Sequence, residues 1–170
     1  MYLNSNKLLT FIFILLGSIS WSIVKGQSTS QNTLQIEGEV LKPLSLTVED
    51  LKALPDVVIK VKDRDNQKQR YRGVPLHQIL KLAGVTQGEQ LRGESLAKYV
   101  LVTAADGYEV LFSLVETDPM FTKKEIILAY ELNGVLLPSG IGPFRMVVPD
   151  EERQARWIRE IRSIRIEFHK

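Results

Sequence analysis

The residues best suited to chemistry in this sequence are arginines that lie near a loop rich in glycine and proline. The stretch NGVLLPSGIGPFRMVVP, residues 133–149, places Arg145 between that loop and an apolar run typical of a buried strand. Arg153 and Arg156 follow within eleven positions of it. Guanidinium groups beside exposed backbone amides are suited to binding a phosphate or a carboxylate. The alternative is that the loop is an ordinary connector.

Five arginines near the C-terminus recur at every third position, from Arg153 to Arg165. On a helix this spacing drifts by roughly 60° per step, so the five side chains would not share one face. A solvated surface, on which aliphatic stems cover neighbouring side chains, is the simpler explanation of the pattern. The binding interpretation is local, because Gly140 and Gly142 expose the backbone of the loop and Arg145 lies at its edge.

A second candidate is the turn Asp106-Gly107-Tyr108, which combines a carboxylate, a glycine and a phenol. Ordinary turn chemistry beside a core aromatic residue would explain the same three residues. His77 lies off the apolar stripe of a predicted helix, where a plain surface histidine is expected. The sequence contains no Ser/His/Asp pattern, nucleophile elbow, phosphate-binding loop or dinucleotide fingerprint. No catalytic residue is therefore predicted.

The cysteine and histidine contents exclude several kinds of site. The chain has no cysteine and two histidines, His77 and His169, which lie far apart in the sequence. It offers no cysteine nucleophile, and a zinc site built from cysteine and histidine is not expected. Disulfides are excluded too, so packing has to stabilise the fold. No metal-ligating residue is predicted.

The first 26 residues have the layout of a secretory signal peptide. Lys7 gives a short positive segment, an apolar run follows, and small residues allow cleavage after Gly26 or after Ser22. We expect an exported protein, periplasmic or secreted, with no membrane span after cleavage. An uncleaved N-terminal anchor is the alternative.

Without this leader the chain carries no net charge. The formal +2 comes from Lys7 and Lys25, and 20 basic and 20 acidic residues remain when both are removed. This balance gives no support for a nucleic-acid partner or for an anionic membrane. A polar linker over residues 27–33 then leads into one predicted domain over 34–170.

The elements that must position the candidate residues are mostly short strands. Residues 57–72 predict a hairpin with a charged turn, and the DG and NG pairs at 106–107 and 133–134 predict two more. LTVEDLKALP, VPLHQILKLAGV and DEERQARWIREI predict three short helices, and SIRIEFHK predicts a last strand. Strands without regular βαβ alternation favour an α+β fold, with mixed β-sheets and a few short helices.

Taken in order, six motifs resemble one known family. They are LTVEDLKALP, YRGVPLHQIL, AADGYEVLFSL, ILAYELNG, GPFRMVVP and ARWIREI. Together they are similar to the molybdopterin-binding domain of the sulfite-oxidase family of oxidoreductases, over a stretch from Leu34 to Phe168. The resemblance implies an α+β domain that holds a pterin–molybdenum cofactor in a cleft lined by these loops.

The resemblance also implies which residues would hold the cofactor. In such proteins the arginine of the G-P-x-R segment and basic residues before the tryptophan contact the pterin or its phosphate. On this chain these positions are Arg145, Arg153 and Arg156. The turns and the loop glycines complete the implied site with Asp106, Gly107, Tyr108, Asn133, Gly134, Gly140 and Gly142.

Two departures from the family pattern bear on activity. The family's enzymes bind molybdenum through one cysteine thiolate ahead of the segment that here reads YRGVPL, and this chain has no cysteine. A histidine often found in the family is absent from the loop VLLPSGIGPF. We expect an oxidoreductase-like domain that binds molybdopterin, a related pterin or another small anionic ligand, and that lacks the metal ligand which redox catalysis would use. The alternative is a non-enzymatic exported module that uses the fold to bind a ligand or a partner protein.

Overall fold

The computed structural model describes residues 32–62 and 65–169, so the predicted signal peptide lies outside the described residues. Within these ranges the chain forms two sheets and two short α-helices, α1 (Val48–Lys52) and α2 (Leu76–Leu82). In chain order the strands are β1 (Leu34–Gly38), β2 (Leu44–Leu46), β3 (Val57–Lys62), β4 (Lys68–Pro75), β5 (Lys98–Ala104), β6 (Glu109–Ser113), β7 (Ile127–Leu132), β8 (Val135–Leu136), β9 (Arg145–Val147) and β10 (Ile161–Phe168). Neither helix is long and apolar enough to span a bilayer, and no other helix of the described ranges is.

The first sheet joins strands from the two ends of the domain. Its order is β2-β1-β10-β5-β6, with β1 parallel to β10 and the other neighbours antiparallel. Alternate residues of a strand point to opposite faces, and on the inner face Ile36, Val102 and Ile164 are fully buried. The last strand predicted from SIRIEFHK is confirmed as β10.

The second sheet is antiparallel, in the order β3-β4-β7-β8, and β9 also pairs with β7. All three predicted hairpins are confirmed, as β3–β4, β5–β6 and β7–β8. Gly73 of β4 packs against β7 with no room for a side chain, because a Cβ atom there would be 2.3 Å from the carbonyl oxygen of Leu128. The mixed α+β architecture is thereby confirmed.

Both predicted N-terminal helices form, and their ends follow the expected local chemistry. Thr47 caps α1: the Asp50 amide donates to Thr47 Oγ1 at 3.2 Å, and the Thr47 amide donates to Asp50 Oδ2 at 2.8 Å. Helix α2 buries Leu76, Ile79 and Leu80 against the sheets, and Gly84 follows its end with a φ of +74°.

The third predicted helix, over DEERQARWIREI, does not form. The segment contains one three-residue 3₁₀ turn, Gln154–Arg156, and is otherwise irregular. Asp150 and Glu160 at its two ends have φ values of +65° and +52°, which an α-helix does not contain. The Met146 amide donates to the Ile158 carbonyl oxygen at 2.8 Å, so tertiary pairing with β9 takes precedence over helical hydrogen bonding.

Candidate functional site

A cleft of about 490 Å³ opens where three segments of the domain meet, a volume within the roughly 300–1,000 Å³ of small-molecule sites. The segments are the β5–β6 turn, the glycine- and proline-rich loop before β9, and the irregular segment before β10. The side chains and backbone around the cleft belong to Ala104, Asp106, Tyr108, Ile141, Arg145, Gln154, Ala155, Trp157, Ile158 and Arg159.

Glu160 fastens these three segments together through its backbone. Its carbonyl oxygen accepts from the Ala105 amide at 2.9 Å, and its own amide donates to the Ile141 carbonyl oxygen at 3.0 Å. The Tyr108 hydroxyl adds a further link, because it donates to the Ala155 carbonyl oxygen at 3.1 Å. The shape of the cleft is therefore set by backbone contacts between segments that lie far apart in the sequence.

Arg145 lies in the wall of the cleft and is held there by two aromatic rings. Its Nη1 donates to the Tyr71 hydroxyl at 2.9 Å. Its guanidinium carbon lies 5.4 Å from the centre of the Tyr71 ring and 5.7 Å from that of Trp157. Both distances lie within the roughly 6 Å over which a cation is attracted to a ring face. The guanidinium is thus both half-buried and oriented.

Trp157 is a rigid part of the same wall. It is 6% exposed, and its Nε1 donates to the Val148 carbonyl oxygen at 2.8 Å. Its ring meets the Tyr71 ring edge-on, with centroids 6.1 Å apart and planes at 83°. Trp21, in the predicted leader, is the other of the two tryptophans in the sequence.

The β5–β6 turn brings Asp106 and Tyr108 to the cleft. The Tyr108 amide donates to Asp106 Oδ1 at 2.9 Å, and Gly107 between them has a φ of +83°. Turn chemistry is therefore present, but Tyr108 is 50% exposed and is not a core residue. The same turn presents a carboxylate and a phenol at the cleft.

Arg156 and Arg153 do not line the cleft. The Arg156 guanidinium binds Glu151 and Glu116, and its carbon lies 4.6 Å from the centre of the Phe112 ring. Burial lowers the pKa of Arg156, and the hydrogen bonds to the two carboxylates outweigh that effect and raise it. Arg153 is exposed to solvent. The structure thus separates two arginines that the sequence had grouped with Arg145.

The Asn133-Gly134 turn also lies apart from the cleft. Asn133 has a φ of +53°, and its Oδ1 accepts from the Arg70 amide at 2.9 Å. Its side-chain amide donates to Gln69 Oε1. This asparagine ties the β7–β8 turn to β4, which is a structural role.

The loop glycines contribute less exposed backbone than a cradle would need. The amides of Ile141 and Gly142 both donate to the Pro138 carbonyl oxygen, at 3.1 and 2.9 Å, within the loop itself. Gly142 is buried against Leu137, precedes a cis peptide bond to proline, and does not line the cleft. Gly140 is exposed and has a φ of +82°. The loop reaches the cleft through Ile141.

Among the residues of the site that were not singled out from the sequence, three have polar side chains. Arg159 is the next member of the three-residue arginine series, and it lines the cleft where Arg153 and Arg156 do not. Gln154 lines it too, and its side-chain nitrogen donates to the Lys62 carbonyl oxygen at 2.9 Å. Tyr71 is 74 positions from Arg145, and no sequence pattern predicts that contact.

The side chains available as metal ligands decide whether the residues present could hold the metal of a molybdenum cofactor as well as its organic part. No group of three or more His, Cys, Asp or Glu side chains in residues 32–62 and 65–169 is placed to hold a metal. The whole sequence lacks a cysteine, so it offers no thiolate as a soft ligand for molybdenum. The cleft, with its oriented Arg145, suits an anionic organic group such as the one that the cofactor carries. The residues present do not provide the metal ligand, so no redox step is assigned to them.

Comparison with known proteins agrees with this architecture. The crystal structure of the sulfane dehydrogenase SoxCD from Paracoccus pantotrophus is similar, with a TM-score of 0.63 and 24% sequence identity. The similarity covers 82% of this chain and 39% of that chain, so this protein spans about two fifths of its length, and the fold alone is shared. No curated protein matches the sequence. The family described as the oxidoreductase molybdopterin binding domain matches residues 22–170. The six ordered motifs and this match agree, and the chain belongs to the oxidoreductase molybdopterin binding domain family.

Proposed function

We propose that this domain binds a flat, anionic ligand of the pterin class in the cleft, with Arg145 as the main cationic contact. The observation that carries the proposal is the Arg145 guanidinium, which Tyr71 and Trp157 hold in the wall of the cleft. Because this arginine is already oriented, it loses little conformational freedom when it binds an anion. Membership of the molybdopterin-binding family supports the pterin class of ligand.

The charges around the cleft suit a ligand that has an anionic group as well as hydrogen-bond donors. Arg145 and Arg159 supply two cations, and Asp106 supplies one carboxylate. A pterin ring has N–H donors that a carboxylate can accept, and its anionic substituent can meet a guanidinium. Two arginines against one carboxylate make the cleft positive, which favours an anion.

The proposed function is binding, without molybdenum catalysis that depends on a cysteine thiolate. If the complete cofactor is bound, its metal supplies the redox chemistry. The chain's own residues have other tasks: Arg145 binds the anionic group, Trp157 forms an apolar wall that excludes water, and Asp106 accepts from the ring. Each task uses a side chain that lines the cleft.

Fluorescence titration tests this proposal. A chain that starts at Gln27 keeps Trp157 as its one tryptophan, so its emission reports directly on the cleft. We expect pterin-6-carboxylate to quench this emission saturably, and Arg145→Met to weaken binding by about 10- to 100-fold. Arg92→Met is the control, because Arg92 is exposed and does not line the cleft. It should change the affinity by less than about twofold. Absence of saturable quenching, or equal affinity in Arg145→Met, would refute the proposal.

We also propose that the domain is exported and its leader removed, on the basis of the charged, apolar and small-residue order of the first 26 residues. N-terminal sequencing of the protein recovered from the periplasm or the medium tests this. A start at Gln27 or at Ile23 is expected. An intact Met1 on protein in the membrane fraction would instead indicate an uncleaved anchor.

A further inference from the structure

The outer face of the β3–β4 hairpin carries four exposed cations, which we call the hairpin patch: Lys60, Lys62, Lys68 and Arg70. In the register of the two strands Lys60 lies directly opposite Arg70, and Lys62 lies directly opposite Lys68. Like charges at directly opposed positions destabilise an antiparallel pair of strands. The patch therefore weakens the hairpin that carries it.

None of the carboxylates in residues 32–62 and 65–169 forms an ion pair with the patch. Arg72 lies on the same face of β4 and is treated differently. Its guanidinium contacts Asp56 at 3.1 Å and Glu131 at 3.6 Å. Arg72 is thus paired with two carboxylates, whereas the four cations of the hairpin patch are exposed to solvent.

Protection of a sheet edge accounts for part of the patch. Strand β3 lies at the edge of its sheet, and lysines on an edge strand discourage pairing with another chain. Lys68 and Arg70 lie on the part of β4 that pairs with β3 alone, because the pairing of β4 with β7 begins at Tyr71. The Arg70 backbone is nevertheless bonded on its other side to Asn133, whose amide donates to the Arg70 carbonyl oxygen at 2.8 Å, so edge protection does not account for this cation.

We propose that the hairpin patch is a docking surface for an acidic partner protein, independent of what the cleft binds. Without its leader the chain has equal numbers of acidic and basic residues, so the patch does not reflect an overall basic composition. A recess of about 150 Å³ adjoins it, lined by Val58, Arg70, Arg72, Glu131, Asn133 and Gly134. Arg72 is paired with Glu131 there, so a carboxylate side chain of the partner would meet Arg70, and complementary charge around the recess sets the orientation of docking.

The rest of the face favours a protein over a membrane or a nucleic acid. On the outer face Val58 of β3 is 39% exposed and Leu136 of β8 is 52% exposed, and β3 and β4 present no Trp, Tyr or Phe there. Membrane-surface elements insert large apolar or aromatic side chains, and proteins that bind single-stranded nucleic acid stack bases on aromatic rings. An acidic protein surface needs only the complementary charges.

A matched pair of variants tests the proposal. The patch variant is K60Q/K62Q/K68Q/R70Q, and the control K52Q/K81Q/R92Q/K123Q removes the same charge from four exposed cations elsewhere. Immobilised poly-L-glutamate serves as the acidic polypeptide probe, at about 50 mM salt, where surface charges are weakly screened. We expect the patch variant to bind at least about tenfold more weakly than the wild type, and the control to stay within about twofold. Equal losses in both variants would show that net charge alone acts, and would overturn the proposal.

Two further measurements distinguish an acidic protein partner from a membrane, a nucleic acid or a stabilising role of the cations in the fold. Vesicles of phosphatidylcholine with about 30% phosphatidylserine, and a single-stranded DNA oligonucleotide, are tested in parallel. Patch-dependent binding to either of them without binding to poly-L-glutamate contradicts an acidic protein partner. The melting temperature of the patch variant should rise by about 2–4 °C, because two repulsive pairs are removed. A fall in melting temperature would show that the cations stabilise the fold, and would overturn the proposal.

Discussion

Replacement of Arg156 by methionine removes a guanidinium that joins two carboxylates. Its Nε donates to Glu151 Oε1 at 2.8 Å, and its Nη1 donates to the two carboxylate oxygens of Glu116 at 3.1 and 3.2 Å. The pKa of Arg156 is lowered by burial but raised overall by its hydrogen bonds to the two carboxylates, so the guanidinium is charged. Methionine keeps much of the aliphatic volume over Phe112, so the variant tests mainly the charge.

The size of the effect follows from the two carboxylates that would remain. The Glu151 side chain is 13% exposed, and no hydrogen bond within the described structure reaches its Oε2. The Glu116 side chain is 31% exposed, and the Ser113 amide still donates to its Oε1 at 2.8 Å. A fully buried charge left without its partner costs about 3–5 kcal/mol. Solvent screening of these partly exposed groups reduces the expected loss to about 2–3 kcal/mol, or about 6–9 °C in melting temperature.

Urea unfolding followed by Trp157 emission measures the loss. Arg153→Met is the control, since Arg153 is an exposed arginine of the same segment, and it should change the free energy of unfolding by less than about 0.5 kcal/mol. Addition of Glu151→Gln to Arg156→Met should recover about 1–2 kcal/mol, because the unpaired charge is removed. The reasoning is refuted if Arg156→Met destabilises no more than Arg153→Met, or if Glu151→Gln restores nothing.

Three further predictions concern the second sheet and the β5–β6 turn. Burial and the hydrogen bond to Asp56 raise the pKa of Tyr130 to about 12. Because the raised pKa belongs to the folded state, the free energy of unfolding should be retained below pH about 10 and should fall by about 2–3 kcal/mol as the pH rises through about 12. In urea titrations, Tyr130→Phe should abolish this dependence on pH. Gly73→Ala should cost more than about 3 kcal/mol because its Cβ would lie 2.3 Å from the Leu128 oxygen. Gly107→Ala, which meets nothing within 4 Å but has a φ of +83°, should cost about 1–2 kcal/mol by the same assay.

The elements that the sequence predicted well have determinants within a few residues. Thr47 and Asp50 satisfy each other's backbone at the start of α1, and the DG and NG pairs close their hairpins with glycines at positive φ. Such signals depend on local sterics and hydrogen bonding. A cap or turn predicted from such signals forms when the rest of the chain allows that local structure, as it does for α1 and for these hairpins.

The helix predicted over DEERQARWIREI was wrong because distant contacts decide that segment. Trp157 and Ile158 are both buried although they are adjacent, and the Ile158 carbonyl oxygen accepts from Met146 on a strand that precedes it. A helix would have broken that pairing. No local pattern contains this information.

In the candidate site, too, some residues could be located from local sequence patterns and others depend on distant contacts. Its three cleft-lining residues from the sequence, Asp106, Tyr108 and Arg145, each belong to a turn or strand end that local patterns located. Arg159 lines the cleft and Arg156 does not, although both belong to one series with identical spacing. Only the path of the irregular segment distinguishes them. That path is fixed by backbone hydrogen bonds to other segments, which a single sequence does not reveal.

The binding proposal is tested most directly by the pterin content of the purified protein. The full sequence, with its predicted leader, is produced in a host that makes and exports molybdoproteins, and bound pterin is oxidised, released and quantified by fluorescence beside the molybdenum content. We predict near-stoichiometric pterin in the wild type and at least about tenfold less in Arg145→Met. A wild type free of pterin, or an Arg145→Met variant with undiminished pterin, would contradict the assignment of the cleft.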